Sequence, residues 1–545
     1  MIKLKINNQE ISVKKGTSVL NAAKQQGIEI PSMCFKDGYS NHPSCMVCMV
    51  KDAKTGKLFP SCAIEVTDGM EVITDDEEVK QSRKEALELL LSDHVGDCEA
   101  PCVLTCPAGM NIPLMNSLIV EGKFKESLQV VKEEIAIPLI LGYICPAPCE
   151  KACRRGEIDD PVSICLLKKF VAAEDLQEDA YLPKKQAKTG KKVAIIGSGP
   201  GGLSAAFYLL KFGHDCTLFD KNAEAGGTLR YEILENQLPK EALDKEVSLI
   251  KNYGAEFKFN TNITKEVFEN ELLKNYDAVI IASGEYEGSV AETLGFNVGK
   301  AGIVVNKDTQ ETNLLGVFAC GSIIRSRRMA INSAAQAKVA AESVDAFLRG
   351  EVPKGKHRMF NSKFSKLTEP EFEEYLKESI PDARVELEND KMGDFTIEQA
   401  ILEAKRCLHC DCRKIDNCKL RIYSDTYEAD RKKFDFGERK AIRKFDQHES
   451  VIYEPEKCIR CNLCTDITMK NKELTGLSSI GRGFSVEINI PFSQELSKAL
   501  TDTAIECVDS CPTGALAFKI SYTEIHRVNT EVHREKLSAY LCDSL

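Results

Sequence analysis

The chain has 545 residues, 43% hydrophobic and 28% charged, with a net charge of −11. That length exceeds what one hydrophobic core supports, so several domains are expected. The acidic balance argues against nucleic acid as a partner, and no apolar run reaches membrane-spanning length. The opening, "MIKLKINNQE", lacks the apolar core of a secretion signal, which predicts a cytoplasmic protein. There are 23 cysteines and no tryptophan. In a reducing compartment such cysteine use points to metal rather than to disulfides. All but Cys216 and Cys320 lie outside the long central stretch, mostly in tight groups, while Cys542 stands apart near the end.

Ile2, Leu4 and Ile6, then Ile11 and Val13, alternate around an Asn-Asn turn and predict a hairpin. "GTSVLNAAKQQG" predicts a short helix, with Thr17 or Ser18 as N-cap and Gly27 as its stop. Cys34, Cys45, Cys48 and Cys62 follow as C-x10-C-x2-C-x13-C, a long-loop variant of the plant-type [2Fe–2S] pattern. Thiolates are soft, anionic donors suited to such iron. A four-cysteine zinc site is the alternative. A β-grasp ferredoxin domain followed by "LELLLSDHVGDC" resembles the electron-transfer subunit of respiratory complex I and of NAD-linked hydrogenases and formate dehydrogenases. The resemblance implies a [4Fe–4S] cluster with one histidine ligand.

The stretch "DHVGDCEAPCVLTCPAG" spaces His94, Cys98, Cys102 and Cys106 four apart. Pro101 and Pro107 oppose a regular helix, so a wrapped loop is expected. A helical region then leads to Cys145, Cys149, Cys153 and Cys165. This part is similar to the amino-terminal domain of the glutamate synthase small subunit and of dihydropyrimidine dehydrogenase. That resemblance implies two interleaved [4Fe–4S] clusters, one on His94, Cys98, Cys102 and Cys153, the other on Cys106, Cys145, Cys149 and Cys165; a surface histidine at His94 and an ordinary buried thiol at Cys165 are the alternatives.

"KKVAIIGSGPGGLSAAFYLLKFGHDCTLFD" reads as strand, glycine turn, helix, strand. Gly197, Gly199 and Gly202, with Pro200 and Gly201 between, allow close approach to a pyrophosphate at a helix N-terminus. Asp220, followed by Lys221, is placed to accept from ribose hydroxyls. "EAGGTLRY", with Gly226, Gly227, Leu229 and Arg230, and "NLLGVFACGSI", with Gly321 and Ser322, resemble the FAD segments of the glutamate synthase small-subunit family. Ser322 stands where that family places an acidic residue, and Cys320 where it usually has glycine. A flavin-type fold without flavin is the alternative. The family's inserted NADPH domain has no room here, because "YDAVIIASGEYEG" reaches Gly316 after about thirty residues, roughly one βαβ unit.

A charged linker is expected over 351–395. Cys407, Cys410, Cys412 and Cys418 then give four ligands within twelve residues, for a [4Fe–4S] cluster or zinc. "CIRCNLC" supplies Cys458, Cys461 and Cys464, completed by the distant Cys511 of "CVDSCPTGAL", as in bacterial ferredoxins. The other cluster of such a module has lost ligands, one position being taken by Thr468 and leaving Cys507 alone. Lys457 and Arg460 stand beside the site, where they could offset its negative charge; solvated surface charges are the plainer expectation.

The predicted fold is multidomain α/β and α+β. A β-grasp [2Fe–2S] domain covers 1–78, a helical two-cluster domain 79–188 and a Rossmann-like FAD domain 189–350. After the linker come a four-cysteine segment over 396–430 and a ferredoxin-like [4Fe–4S] domain over 431–545. The predicted function is an oxidoreductase subunit carrying FAD, one [2Fe–2S] and about four [4Fe–4S] clusters, about 18 irons in all. No catalytic acid, base or nucleophile is evident. The expected partners are a diaphorase-type NAD(P)H-oxidising flavoprotein, a hydrogenase or formate dehydrogenase subunit, and ferredoxin, in an assembly compatible with electron bifurcation. A stand-alone FAD and iron–sulfur reductase is the alternative, and a zinc-bearing scaffold a further one.

Overall fold

The computed structural model describes residues 1–519, apart from 177–179, 285–287, 326–328, 356, 365, 436 and 438. Cys542 therefore lies outside the described residues. The chain forms two compact units. One comprises 1–100, 359–378 and 409–545; the other comprises 101–358 and 379–408. The first unit is thus discontinuous: the chain leaves it after Ala100 and returns twice.

The first unit opens with the expected hairpin. Ile2–Ile6 and Gln9–Val13 pair antiparallel, and Asn7 and Asn8 both take positive φ in the turn, as a tight hairpin requires. Glu71–Ile73 pairs parallel to the first strand, and Met49–Asp52 and Leu58–Pro60 complete a five-stranded sheet. Alternate residues Leu4, Ile6, Ile11 and Val13 face a core shared with the helix Val19–Gln25. Ser18 caps that helix, its Oγ accepting from the Asn21 N–H at 3.2 Å. A longer helix, Glu77–Ser92, follows, with Asp76 as its N-cap.

The carboxy-terminal part of this unit pairs Val451–Tyr453 antiparallel with Leu516–Phe518. Helices Leu463–Lys470 and Ala504–Ser510 pack against each other. The segment expected to be a linker is structured. Its residues 359–378 carry the helix Glu369–Leu376, begun by a Thr368–Glu371 capping box. Arg439 anchors that helix by ion-pairing with the buried Glu371 carboxylate.

In the second unit, short helices from Pro101 to Asp175 form an α-helical layer. The rest of the expected linker packs here: Glu403 accepts from the Ser163 N–H at 2.8 Å and the Val385 N–H at 2.9 Å. A parallel five-stranded sheet follows in the order Val317–Ala319, Ala278–Ile281, Lys192–Ile196, Asp215–Phe219, Glu256–Lys258. The helix Pro200–Lys211 packs on the helix Ala330–Leu348 over one face of it. Between the strands Ala278–Ile281 and Val317–Ala319, the described residues form the helix Gly288–Thr293 and one two-stranded antiparallel pair. No helix among the described residues is long and apolar enough to cross a membrane.

Candidate cluster and dinucleotide sites

Cys34, Cys45, Cys48 and Cys62 are all buried, with the Cys34 and Cys45 sulfurs 3.4 Å apart. Cys62 hydrogen-bonds the thiols of both Cys34 and Cys48. The loop is held from outside: Ser61 donates to the Cys48 carbonyl at 2.7 Å and Asn41 to the Cys62 carbonyl at 2.5 Å. Crowding splits the thiols' acidity. Hydrogen bonds from Cys45 and Cys62 drive the Cys34 thiol far down, while Cys62 is driven up by its bonds to Cys34 and Cys48. Four sulfurs this close cannot all ionise without cations among them, so the quartet fits a [2Fe–2S] centre.

A second quartet lies in the helical layer. Cys165 hydrogen-bonds Cys145 and Cys149. The buried Lys168 stands 4.0 Å from the Cys165 sulfur and donates to the Leu141 carbonyl at 3.2 Å. Although burial pulls its pKa down, the charges of Cys165, Cys145, Cys149 and Cys106 raise it overall. A buried ammonium among four sulfurs demands an anionic group there. These four therefore fit a cluster carrying net negative charge.

A third quartet lines one cavity: Cys458, Cys461, Cys464 and Cys511, walled by Tyr453, Leu463, Ile488 and Leu516. The Arg460 N–H donates to the Cys458 sulfur at 3.3 Å, the kind of bond that tunes a cluster's potential. Cys507 packs in the core behind, its sulfur 3.9 Å from the Cys464 carbonyl. Thr468 is buried and accepts from the Leu477 N–H at 3.2 Å. Lys457, expected at the surface, is instead buried and paired to Glu454 at 2.5 Å.

The remaining expected ligands divide between the two units. Cys102, Cys153 and Cys407 belong to the second, where burial raises the Cys153 pKa against backbone hydrogen bonds and the nearby Arg406 charge. His94 and Cys98 belong to the first, with Cys410, Cys412 and Cys418. There the Cys412 N–H donates to the Cys98 carbonyl at 3.1 Å. Cys418 is close enough to Cys412 and Cys98 for their charges to raise its pKa, beyond the larger rise from burial. Burial, with Lys457 and Arg431 nearby, lowers the His94 pKa to about 4, so the ring is neutral. Among the described residues no three His, Cys, Asp or Glu side chains close on a single ion.

In the dinucleotide loop Gly197 has φ +103°, and a Cβ there would lie 2.4 Å from the Ala282 carbonyl oxygen. A Cβ on Gly202 would lie 1.9 Å from the Gly197 oxygen. Gly199 caps the helix Pro200–Lys211, and a Cβ there would meet only the Gly226 carbonyl oxygen, at 3.9 Å. The second glycine pair packs on the first: the Gly226 N–H donates to the Ser198 carbonyl at 3.0 Å. Asp220 holds this loop, accepting from the Ser198 N–H at 2.8 Å, its hydroxyl at 2.5 Å and the Asn222 N–H at 2.9 Å. Arg230 donates to the Ala225 carbonyl at 2.6 Å and pairs with Asp244, Leu229 is buried, and Lys221 is exposed. Gly321 has φ +84° and donates to Gln336 at 2.9 Å, beside the part-buried Ser322. Cys320 is buried 3.5 Å from where a Gly201 Cβ would sit, its thiol pushed up to about 12 by burial. The side-chain-free backbone at Gly199, at a helix start, fits a pyrophosphate.

Comparisons with known proteins match three stretches of the chain to families. Residues 1–77 match the 2Fe-2S iron-sulfur cluster binding domain family. Residues 73–180 match dihydropyrimidine dehydrogenase domain II, 4Fe-4S cluster, and residues 184–341 match pyridine nucleotide-disulphide oxidoreductase. The chain is 36% identical over 227 residues to the NADP(+)-dependent formate dehydrogenase subunit beta of Moorella thermoacetica, covering 38% of this chain and 32% of that one. It is 33% identical over 208 residues to the NADPH-Fe(3+) oxidoreductase subunit beta of Geobacter sulfurreducens, covering 38% and 31%. It is 35% identical over 190 residues to the glutamate synthase [NADPH] small chain of Mycobacterium tuberculosis, covering 34% and 39%. The chain thus spans about a third of the length of these relatives. Its first 180 residues carry iron–sulfur domains of two kinds, and a flavoprotein-type redox domain follows.

Proposed function

We propose that this chain is the electron-transfer subunit of a multisubunit NAD(P)H-linked oxidoreductase, carrying FAD, one [2Fe–2S] cluster and about four [4Fe–4S] clusters. When bound, the clusters pass electrons singly and the flavin exchanges them singly or in pairs. The protein positions these groups and tunes their potentials through ligand type, burial and N–H bonds to sulfur. The 431–519 part serves as a ferredoxin-like module with one cluster. The observation that carries this function is a shared core. Cys34, Cys45, Cys418 and Cys461 belong to one buried cluster with Leu87, Leu91, Leu420 and Leu463. Sulfurs from three cysteine groups packed together give electrons short steps through dry protein.

Hydride is supplied by a partner, a diaphorase-type flavoprotein, with a hydrogenase or formate dehydrogenase subunit or ferredoxin at the other end, in the cytoplasm. The short stretch between the strands Ala278–Ile281 and Val317–Ala319 supports this division of labour. The test is anaerobic reduction of the isolated chain. Dithionite should bleach both flavin and cluster absorbance, while NADPH or NADH alone leaves both oxidised. Rapid flavin bleaching by NADPH alone would instead establish a self-sufficient reductase.

A further inference from the structure

We infer that His94, Cys98, Cys412 and Cys418 hold one [4Fe–4S] cluster, its ligands drawn from both sides of an intervening stretch of more than three hundred residues. This differs from the two groupings suggested by order along the chain, His94 to Cys153 and Cys407 to Cys418. All four residues lie in the first unit.

The geometry begins at Cys98. Its N–H donates to the Ser362 carbonyl at 3.1 Å, and its sulfur accepts the Ser362 N–H at 3.3 Å. Its carbonyl accepts the Cys412 N–H. Arg421 ties the same three segments together, donating to Glu99 at 2.6 Å, to the Phe360 carbonyl at 2.8 Å and to the Ile415 carbonyl at 3.1 Å. Cys418 is buried and caps the helix Lys419–Thr426 that carries Arg421; one turn earlier the Ile415 N–H donates to the Cys412 carbonyl at 3.2 Å, and the Cys418 N–H donates to the Lys414 carbonyl at 2.9 Å.

His94 completes the set. The Lys457 main chain lies beside its ring, while Nδ1 is buried with no hydrogen-bond partner. A ligating histidine characteristically donates its other ring N–H to a backbone carbonyl, and an orphaned buried nitrogen calls for an unseen partner. The Lys457 side chain runs from this point towards Cys412. A Cβ on Gly96 would strike it at 2.7 Å, and a Cβ on Gly514 would lie 2.2 Å from the Cys412 sulfur and 3.7 Å from Lys457. Gly514 is therefore glycine because a thiol occupies the space a side chain would fill. Histidine in place of a fourth thiolate leaves the cluster one charge less negative, which suits a site beside the buried Lys457 ammonium.

The inference rests on the iron–sulfur function proposed above. Purified anaerobically, the wild-type full chain reports on that function by its iron content alone; ligand variants then report on the grouping. Cys98→Ala, Cys412→Ala and Cys418→Ala should each lose about four irons and the same electron paramagnetic resonance signal. The double variant Cys98→Ala/Cys412→Ala should also lose about four, not about eight. Cys102→Ala and Cys407→Ala should spare that signal. His94→Cys, which keeps a ligand and hence the fold, should retain its iron and change that signal only. An eight-iron loss in the double variant, the same signal lost in Cys407→Ala, or a spectrum unmoved by His94→Cys would overturn the assignment.

Discussion

Five of the thirteen described non-glycine residues with positive φ sit inside cysteine loops: Met46, Ala147, His409, Arg460 and Asn462. Left-handed backbone at such residues costs on the order of 1–3 kcal/mol each and persists where the surroundings over-determine it. The clustering marks these loops as wrapped around something that holds them. Ala147, at φ +49° between Cys145 and Cys149, offers the simplest check. A β-branched side chain is least tolerated there, so Ala147→Val should destabilise the helical layer by about 1–3 kcal/mol and lower the iron content. Ala147→Gly should do neither. Anaerobic thermal unfolding with iron analysis measures both. Cysteine identity and spacing were visible in the sequence, but this strain was not. Glycine is the usual signal of positive φ, and none of these five positions has it.

Helices and strands follow local pattern wherever the pattern is short-range. The alternation of Ile2 to Val13 and the glycines at 197, 199 and 202 give the hairpin and the dinucleotide turn directly, because each depends on neighbours within a few residues. Gly202→Ala forces a Cβ into the Gly197 carbonyl, so flavin content should fall to near zero while iron stays unchanged. The segment 351–395 was not legible as structure. Its charged composition suits a linker, yet it bonds to Cys98 through Ser362 and to Glu403 through Val385, contacts that only tertiary placement creates. Another tertiary effect sits at the helix Pro138–Ile144. There the fully buried Glu246 accepts the Leu139 and Ile140 N–H groups at 2.8 and 2.9 Å. Burial raises its pKa to about 7 against those hydrogen bonds and Lys132. With the folded value above the unfolded one of about 4.5, its protonation stabilises the fold below the unfolded value, and that stability is lost as pH rises through about 7. Glu246→Gln should flatten the fall in unfolding stability between those values. An unchanged pH profile in urea titrations would contradict this.

At the scale of the molecule, the chain reads in sequence as beads on a string, whereas the first unit is assembled from three separated segments. Local spacing groups Cys34 to Cys62 and Cys458 to Cys511, and the resemblance to the glutamate synthase small subunit groups Cys106 with Cys145, Cys149 and Cys165; the residues of each set lie within one unit. The bond from Cys412 to Cys98 spans 314 residue positions, and no periodicity or spacing rule reaches that far. The shared core that includes Cys34, Cys418 and Cys461 also makes these sites interdependent. Cys461→Ala should remove about four irons and leave the [2Fe–2S] signal present but re-reduced more slowly after a flash of oxidant, measured by freeze-quench spectroscopy. On the proposed reading, five groups of ligands hold iron and sulfide in a chain that also binds one flavin. Anaerobic purification followed by quantification of iron, acid-labile sulfide, zinc and FAD tests it most directly. About 18 irons with a near-equal count of sulfide is expected, together with one FAD. Zinc in place of iron, or a colourless protein, would contradict it.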